Sequence, residues 1–177
     1  MIPEGYTIER LGIEHAGELA AAYSRNRSHL ERWDPKREPS FFTEQGQTAA
    51  LAGQLASIDR GAGAGWVLVH DGRVVGRVNL NNIVMGVLRS GSVGYWVDAG
   101  HLGRGLASGA VEFACAQAQG LGLHRVEAGT LVHNTASQAV LTRCGFQLYG
   151  TAPKFLFIDG DWQDHRLYQR ILHDNPL

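Results

Sequence analysis

Apolar and polar positions alternate with period two over Tyr6-Thr7-Ile8-Glu9-Arg10-Leu11 and change to helical spacing across residues 12–23, which predicts a strand followed by a helix. Residues 26–39 hold Leu30, Trp33, Asp34, Pro35 and Pro39, and the two prolines break any long helix there. That segment reads as a helix end or a loop placed to cover a site. Thr43 opens another helix whose apolar face is Ala49, Leu51, Ala52, Leu55 and Ile58, ending by Gly61. Trp66-Val67-Leu68-Val69-His70 and Arg73 to Leu80 are strands joined by Asp71-Gly72, a two-residue hairpin signal. With Ser92 to Val97 they make an antiparallel meander. From Gly105 the pattern is helical, with Ala107, Ala110, Val111, Ala114 and Ala118 on one face, and it stops at Gly120-Leu121-Gly122. A strand over Arg125 to Val132, a helix over Thr135 to Arg143, and strands at Phe146 to Leu148 and Arg166 to Arg170 complete the chain.

Length and composition narrow the classes this pattern can serve. A chain of 177 residues is read as one domain spanning 1–177, and its 44% hydrophobic and 19% charged content is that of a globular protein rather than a disordered one. The 16 Lys+Arg balance 17 Asp+Glu to a net charge of -1, which gives little to counterion-release binding and argues against nucleic acid or an anionic membrane as partner. No stretch reaches the ~18 apolar residues of a membrane span. The opening Met1-Ile2-Pro3-Glu4 lacks the charged and apolar regions of a signal peptide, so the expected location is the cytoplasm. Two cysteines, Cys115 and Cys144, read as buried thiols, and eight scattered histidines show no helical zinc spacing, so no metal is expected. Glycine is the outlier: 23 residues, where average usage gives about 12.

The glycines concentrate where the chemistry is expected. In Tyr95-Trp96-Val97-Asp98-Ala99-Gly100-His101-Leu102-Gly103-Arg104-Gly105-Leu106-Ala107 a strand passes through a glycine-rich turn into a helix start, which aims backbone N–H groups and the positive helix end at one spot. Such a spot takes a phosphate. No glycine is followed by the Lys of a P-loop, and the Rossmann spacing fails because Ser108 stands three residues after Gly105. A turn that merely caps the helix is the plain structural alternative.

The turn also resembles the acetyl-CoA pyrophosphate loop of the GNAT acetyltransferase superfamily, whose motif Q/R-x-x-G-x-G/A is matched at Gly103-Arg104-Gly105 but begins with Gly100 here. The resemblance continues through Gly94-Tyr95-Trp96-Val97, Asn134-Thr135-Ala136-Ser137, Cys144-Gly145-Phe146, Asp161-Trp162-Gln163-Asp164 and Tyr168, and looks like the RimJ/RimL branch. It implies an α+β GNAT (acyl-CoA N-acyltransferase) fold: a mixed, mostly antiparallel sheet of about seven strands with helices on both faces. It further implies an acetyl-CoA-dependent N-acetyltransferase in which an amine attacks the thioester directly in a ternary complex, and it leaves a homodimer open.

Residue by residue, the resemblance gives Tyr95, Trp96 and Val97 to the pantetheine arm through their backbone, with the Val97 N–H as oxyanion donor. Leu102, Gly103, Arg104, Gly105, Leu106 and Ala107 go to the pyrophosphate, and Asn134 and Ser137 to the cofactor arm. Where many GNAT enzymes carry an acidic Tyr this chain has Leu141, and the RimL-like substitute is Ser137. Asn134 and Ser137 equally read as a helix N-terminal cap. The RimL-type basic Glu falls at Leu156, so the base must come from elsewhere, from Asp34, Glu127 or Asp98, or through water. Asp34 ranks first, because Trp33 and Asp34 lie in the segment where the family gathers acceptor contacts. Three functions stay open: acetylation of a protein N-terminus, as in RimL-type enzymes acting on ribosomal proteins; acetylation of a small-molecule amine such as an amino-sugar antibiotic, for which Asp34, Glu38 and Glu44 would make an acidic mouth; and an acetyl-CoA-binding module without turnover.

Overall fold

A computed structural model describes residues 2–175. Seven strands form one sheet in the order β1-β2-β3-β4-β5-β7-β6: β1 Tyr6–Arg10, β2 Ala64–His70, β3 Arg73–Val84, β4 Ser90–Val97, β5 Arg125–Leu131, β6 Gln147–Ile158 and β7 Asp161–Ile171. All neighbours are antiparallel except β4 and β5. That one parallel pair exists because a crossover helix, α4 Leu106–Gly120, carries the chain from the end of β4 back to the start of β5.

The central strands are buried on both faces, which makes β2 and β3 read as nearly continuous apolar runs. Trp66, Leu68, Val78, Leu80 and Val93 pack with Ala110, Val111 and Ala114 of α4 and with Leu141 of α5 (Thr135–Arg143). On the other face Val67, Val74 and part of Trp96 pack against α1 (Ala16–Arg25) and α3 (Glu44–Asp59) through Leu19, Tyr23 and Leu51. A single-turn helix, α2 (Arg27–Leu30), follows α1 and leads into the Trp33–Pro35 segment. Val75 is the extra residue of a bulge, since Leu68 pairs with Gly76 and Val69 with Val74. The thiols of Cys115 and Cys144 are free and buried.

The hairpin at Asp71-Gly72 is as expected, with φ of 49° and 72°, the left-handed pair that a tight two-residue turn needs. Two expectations need correction. In α3, Ala49 and Ala52 face solvent, and the inward side is Gln47, Leu51, Gln54, Leu55 and Ile58. The seat of the buried stripe shifts because Gln47 is held inward by its amide bond to the Phe41 carbonyl. The last two strands are far longer than Phe146–Leu148 and Arg166–Arg170: they extend to a second Asp-Gly turn at Asp159-Gly160. Period-two alternation is hidden in β6 by register shifts at Leu148/Gly150 and Ala152/Leu156, and Pro153 is tolerated because β6 is an edge strand.

Gly76 sets how closely β2, β3 and β4 approach. A Cβ there would sit 2.7 Å from a Leu68 methyl and 2.8 Å from the Trp96 carbonyl oxygen. Gly76→Ala is expected to lower the unfolding free energy by about 2 kcal/mol through overpacking, measured by chemical denaturation.

Candidate active site

β4 and β5 are paired only from Ser90–Arg125 to Ser92–Glu127. Beyond that β4 stays bonded to β3 as far as Val97, and β5 stays bonded to β7 as far as Leu131. Each strand keeps its antiparallel partner and loses the other, so a wedge opens between them. A cavity of about 750 Å³ fills it, with β4 from Ser90 to Tyr95 on one wall and β5 from Glu127 to Leu131 on the other. Since the Asp98 N–H bonds to the Val75 carbonyl of β3, strand alternation turns the N–H groups of Val93, Tyr95 and Val97 the opposite way, toward the wedge.

Alternation also gives the wedge two chemically different sides. Val93, Tyr95 and Val97 share the α4/α5 face of the sheet, whereas Trp96 points to the α1/α3 face, where its indole N–H donates to the Tyr23 hydroxyl at 3.0 Å. Trp96 therefore offers the site backbone only.

On the α4/α5 side, the glycine turn delivers the chain into α4. Gly103 and Gly105 have φ of 73° and 81°, a region that favours glycine, and open space surrounds both. The first helical bond runs from Gly109 to the Gly105 carbonyl, so the amides of Leu106, Ala107 and Ser108 are the unpaired donors of the helix end. Leu106 is buried in the core and supplies only that amide; Leu102 and Arg104 are exposed, and Arg104 donates to the Tyr6 hydroxyl at 3.0 Å. Asn134 caps α5 by accepting from the Ser137 N–H at 3.1 Å, and both residues also line the cavity.

The Tyr95 hydroxyl, on a residue expected to contribute through its backbone, meets Ser137 Oγ at 2.8 Å inside the cavity. Burial pushes the Tyr95 phenol up to about 12, while the bond to Ser137 acts in the opposite direction, so it remains a proton donor across the physiological range. Leu141 is fully buried and lines the cavity behind them. Val97 lies at the outer end of β4, outside the cavity lining, whereas the equally oriented amides of Val93 and Tyr95 are inside it.

The opposite side is covered by the segment after α2. Trp33, Asp34 and Pro35 line the cavity, and the Trp33 ring lies 5.6 Å from the His133 ring at the start of α5. Asp34 is raised above the usual carboxylate range by burial, opposed by the Arg37 guanidinium 3.9 Å away. Leu156 lines the same cavity and presents only an apolar side chain to it. Glu127 lines it too, with one carboxylate oxygen accepting from both Arg125 and Tyr149 at 2.6 Å. A cavity of about 380 Å³ adjoins, sharing Asp34 and Pro35 and rimmed by Arg27, Lys36 and Arg37. Glu38 and Glu44 line neither cavity, so the acidic mouth expected from them is not formed. Chain proximity to Asp34 suggested it, but both residues lie at the surface, Glu38 just before a short 3-10 turn over Pro39–Phe42 and Glu44 at the start of α3.

Asp98 is withdrawn as a base. Burial would raise its carboxyl, but bonds from the Asn26 amide, the Gly100 N–H and Arg25 outweigh this and hold it below the ordinary range. Its Oδ2 accepts from Arg25 Nε at 2.7 Å and Asn26 Nδ2 at 2.9 Å. It anchors α1 to the start of the glycine turn and takes no proton. His165, buried on β7 and lining the cavity, was not singled out from sequence at all. A lone His within Trp162-Gln163-Asp164-His165 carries no spacing signal, and only the β5–β7 pairing brings it to the wedge.

Comparison with known proteins agrees with this geometry. The model of the acetyltransferase (GNAT) domain family matches residues 6–147. The chain is 32% identical over 156 residues to the [Ribosomal protein uS5]-alanine N-acetyltransferase of Escherichia coli (strain K12), covering 86% of this chain and 80% of that protein. The crystal structure of the ribosomal-protein-S5-alanine acetyltransferase from Vibrio fischeri superposes with a TM-score of 0.94 at 31% identity, covering 99% of this chain and 98% of the other. Mycobacterium smegmatis RimJ, in complex with CoA-disulfide, superposes with a TM-score of 0.89 at 28% identity, covering 94% and 81%.

Asp98→Asn is expected to cost about 2–3 kcal/mol, less than a fully buried pair would, because Arg25 is partly solvated. A carboxyl whose folded pKa is depressed stabilises above its unfolded pKa and loses that contribution as pH falls through the folded value. The stability gap between wild type and variant should therefore shrink on acidification below about pH 4, as read by denaturation at several pH values.

Proposed function

The chain belongs to the GNAT acetyltransferase family and is an acetyl-CoA-dependent N-acetyltransferase, and we propose that it acetylates the α-amino group of protein N-termini by direct attack in a ternary complex. The observation that carries this reading is the two-sided wedge. Phosphate-binding amides and the Ser137–Tyr95 pair lie on its α4/α5 side, and Trp33 and Asp34 lie on the other.

Acetyl-CoA enters from the α4/α5 side. Its pyrophosphate takes the amides of the turn at Gly103 and Gly105 and of the first turn of α4, where the helix dipole adds to the attraction. The pantetheine arm runs along the free edge of β4, pairing with Tyr95 and Val97, and Asn134 completes its contacts. The amides on that edge, Val93 and Tyr95 within the cavity and Val97 beyond it, are the preorganised donors for the oxyanion. Ser137 donates to the departing sulfur. Tyr95 donates to Ser137 Oγ and leaves the serine proton free to point at the substrate, supplying from β4 the hydroxyl that Leu141 lacks.

An N-terminal ammonium is met on the far side by Asp34, with Trp33 as an apolar wall. The adjoining cavity is lined by Arg27, Lys36 and Arg37 together with Glu31, Asp34 and Asp159, a charge-balanced surface that suits a mixed peptide chain behind the terminus. Similarity to a [Ribosomal protein uS5]-alanine N-acetyltransferase supports a ribosomal protein as the proposed acceptor and the cytoplasm as the proposed location. One chain supplies every residue named.

Purified protein is expected to release CoA thiol from acetyl-CoA with peptides bearing N-terminal Ala or Ser, and not with polyamines or aminoglycosides; turnover confined to the latter overturns the reading. Ser137→Ala should lower kcat by roughly 10²-fold, within the range for a lost general acid, with the acetyl-CoA KM nearly unchanged. Tyr95→Phe should cost on the order of tenfold in kcat and nothing further once Ser137 is already Ala, a coupling that a double-mutant cycle measures.

A further inference from the structure

In the acetyltransferase reading Asp34, the base ranked first from the sequence, faces the Arg37 guanidinium at 3.9 Å and binds the incoming ammonium, so removal of the proton calls for a second group, and Leu156 offers only an apolar side chain. We propose that His165 is the general base, with Gly129 as the opening through which it reaches the acceptor.

His165 lies on β7 opposite Leu131 of β5, in the register that borders the unpaired stretch of the wedge. Its side chain points to the Trp33 side of the sheet: its neighbour Arg166 bonds Gln138 on α5, and alternate residues of a strand face opposite ways. The proton acceptor and the acidic hydroxyls of Ser137 and Tyr95 thus lie on opposite sides of the passage. That is the disposition needed when the nucleophile enters from one side and the thiolate departs toward the other.

The ring itself is oriented. His165 Nδ1 lies 3.1 Å from the Gln163 carbonyl oxygen. A carbonyl only accepts, so the hydrogen sits on Nδ1 and the neutral ring keeps its lone pair on Nε2. Phe155 packs against the ring at 5.3 Å between centroids. The edge carrying Nε2 is turned to β5: a Cβ built on Gly129 would lie 3.7 Å from His165 Cδ2, the carbon bonded to Nε2. Gly129 is exposed in the wedge wall, so the missing side chain is what lets this edge border the cavity.

Charged and titratable groups on the surrounding elements are otherwise engaged. Glu127 on β5 is held by Arg125 and by Tyr149 of β6, and Asp164 beside His165 accepts from the Lys154 N–H of β6. Arg166 is turned to α5, and Asp34 faces Arg37 on the covering segment. The cations on the neighbouring elements are Arg125 of β5, Arg166 and Arg170 of β7, Lys154 of β6, and Lys36 and Arg37 of the covering segment.

The step balances as follows. Nε2 takes one proton from the ammonium, giving imidazolium and a neutral amine. The nitrogen lone pair forms the C–N bond while the carbonyl π pair moves to oxygen. Collapse restores C=O and breaks C–S, whose electron pair stays on sulfur and is protonated from Ser137. The second nitrogen proton restores Ser137 through water, and the imidazolium releases its proton to solvent. The sum is amide, CoA thiol and one proton.

His165→Gln is expected to lower kcat/KM roughly 10²-fold near pH 7, with acetyl-CoA affinity unchanged. The acidic limb of its pH profile should move to the titration of the acceptor amine itself, near 8, because only amine already free can react. Gly129→Val tests the same idea with the imidazole retained: its side chain, seated against the ring, should shield it and give the same pH-dependent loss, with Tm measured alongside to show that the protein stays folded. An unaltered pH profile in both variants, or a loss confined to the acetyl-CoA KM, overturns the assignment. Nitrogen-15 NMR of the protein without acetyl-CoA supplies a readout independent of turnover. The resonance missing in His165→Gln should report the Nδ1–H tautomer and shift on adding an N-terminal Ala peptide, and an Nε2–H tautomer excludes the role. Because the inference rests on the acetyltransferase reading, absence of turnover with every acceptor would fail that reading while leaving the tautomer result to stand.

Discussion

The parting of the one parallel strand pair makes the site: beyond Ser92 and Glu127, β4 stays hydrogen-bonded to β3 and β5 to β7, and the two no longer pair with each other. Three pairs of contact between β4 and β5 hold the sheet together at one end. The unpaired remainder supplies a row of backbone donors along Val93, Tyr95 and Val97 with no strand to take them. Elsewhere such an edge would be a hazard for aggregation; here it lies inside the molecule, walled by α5 and by the Trp33 segment.

The remaining parts of the site are arranged by that opening. α4 begins where β4 ends, so its free amides stand at the mouth of the wedge. Asp98 fixes the angle of this junction by binding Arg25, Asn26 and the Gly100 amide together. The cost of burying a carboxylate is offset by directed bonds, and its chemistry is lost to structure in consequence.

How much could be read beforehand follows the range of the signals. The glycine turn, the α5 helix over Thr135–Arg143, and the Asp71-Gly72 hairpin are local, and a few residues carry each of them. The family resemblance supplied the sheet and the cofactor. What escaped depends on distant pairing. The length of β6 and β7 was masked by two register shifts and an edge proline. The hydroxyl contact of Tyr95 joins residues 42 apart, and His165 reaches the wedge only through β5. The acidic mouth assembled from Asp34, Glu38 and Glu44 failed for the converse reason, since nearness in sequence on an irregular segment says little about which way a side chain points.

The contact between Trp33 and His133 ties the covering segment to the first residues before α5, the same corner whose Asn134 and Ser137 hold the cofactor side. The covering segment and the cap of α5 therefore meet at one corner of the cavity, and neither can be repositioned without the other. In the proposed reading donor and acceptor would come from opposite faces of the sheet, so neither would cross the other's path.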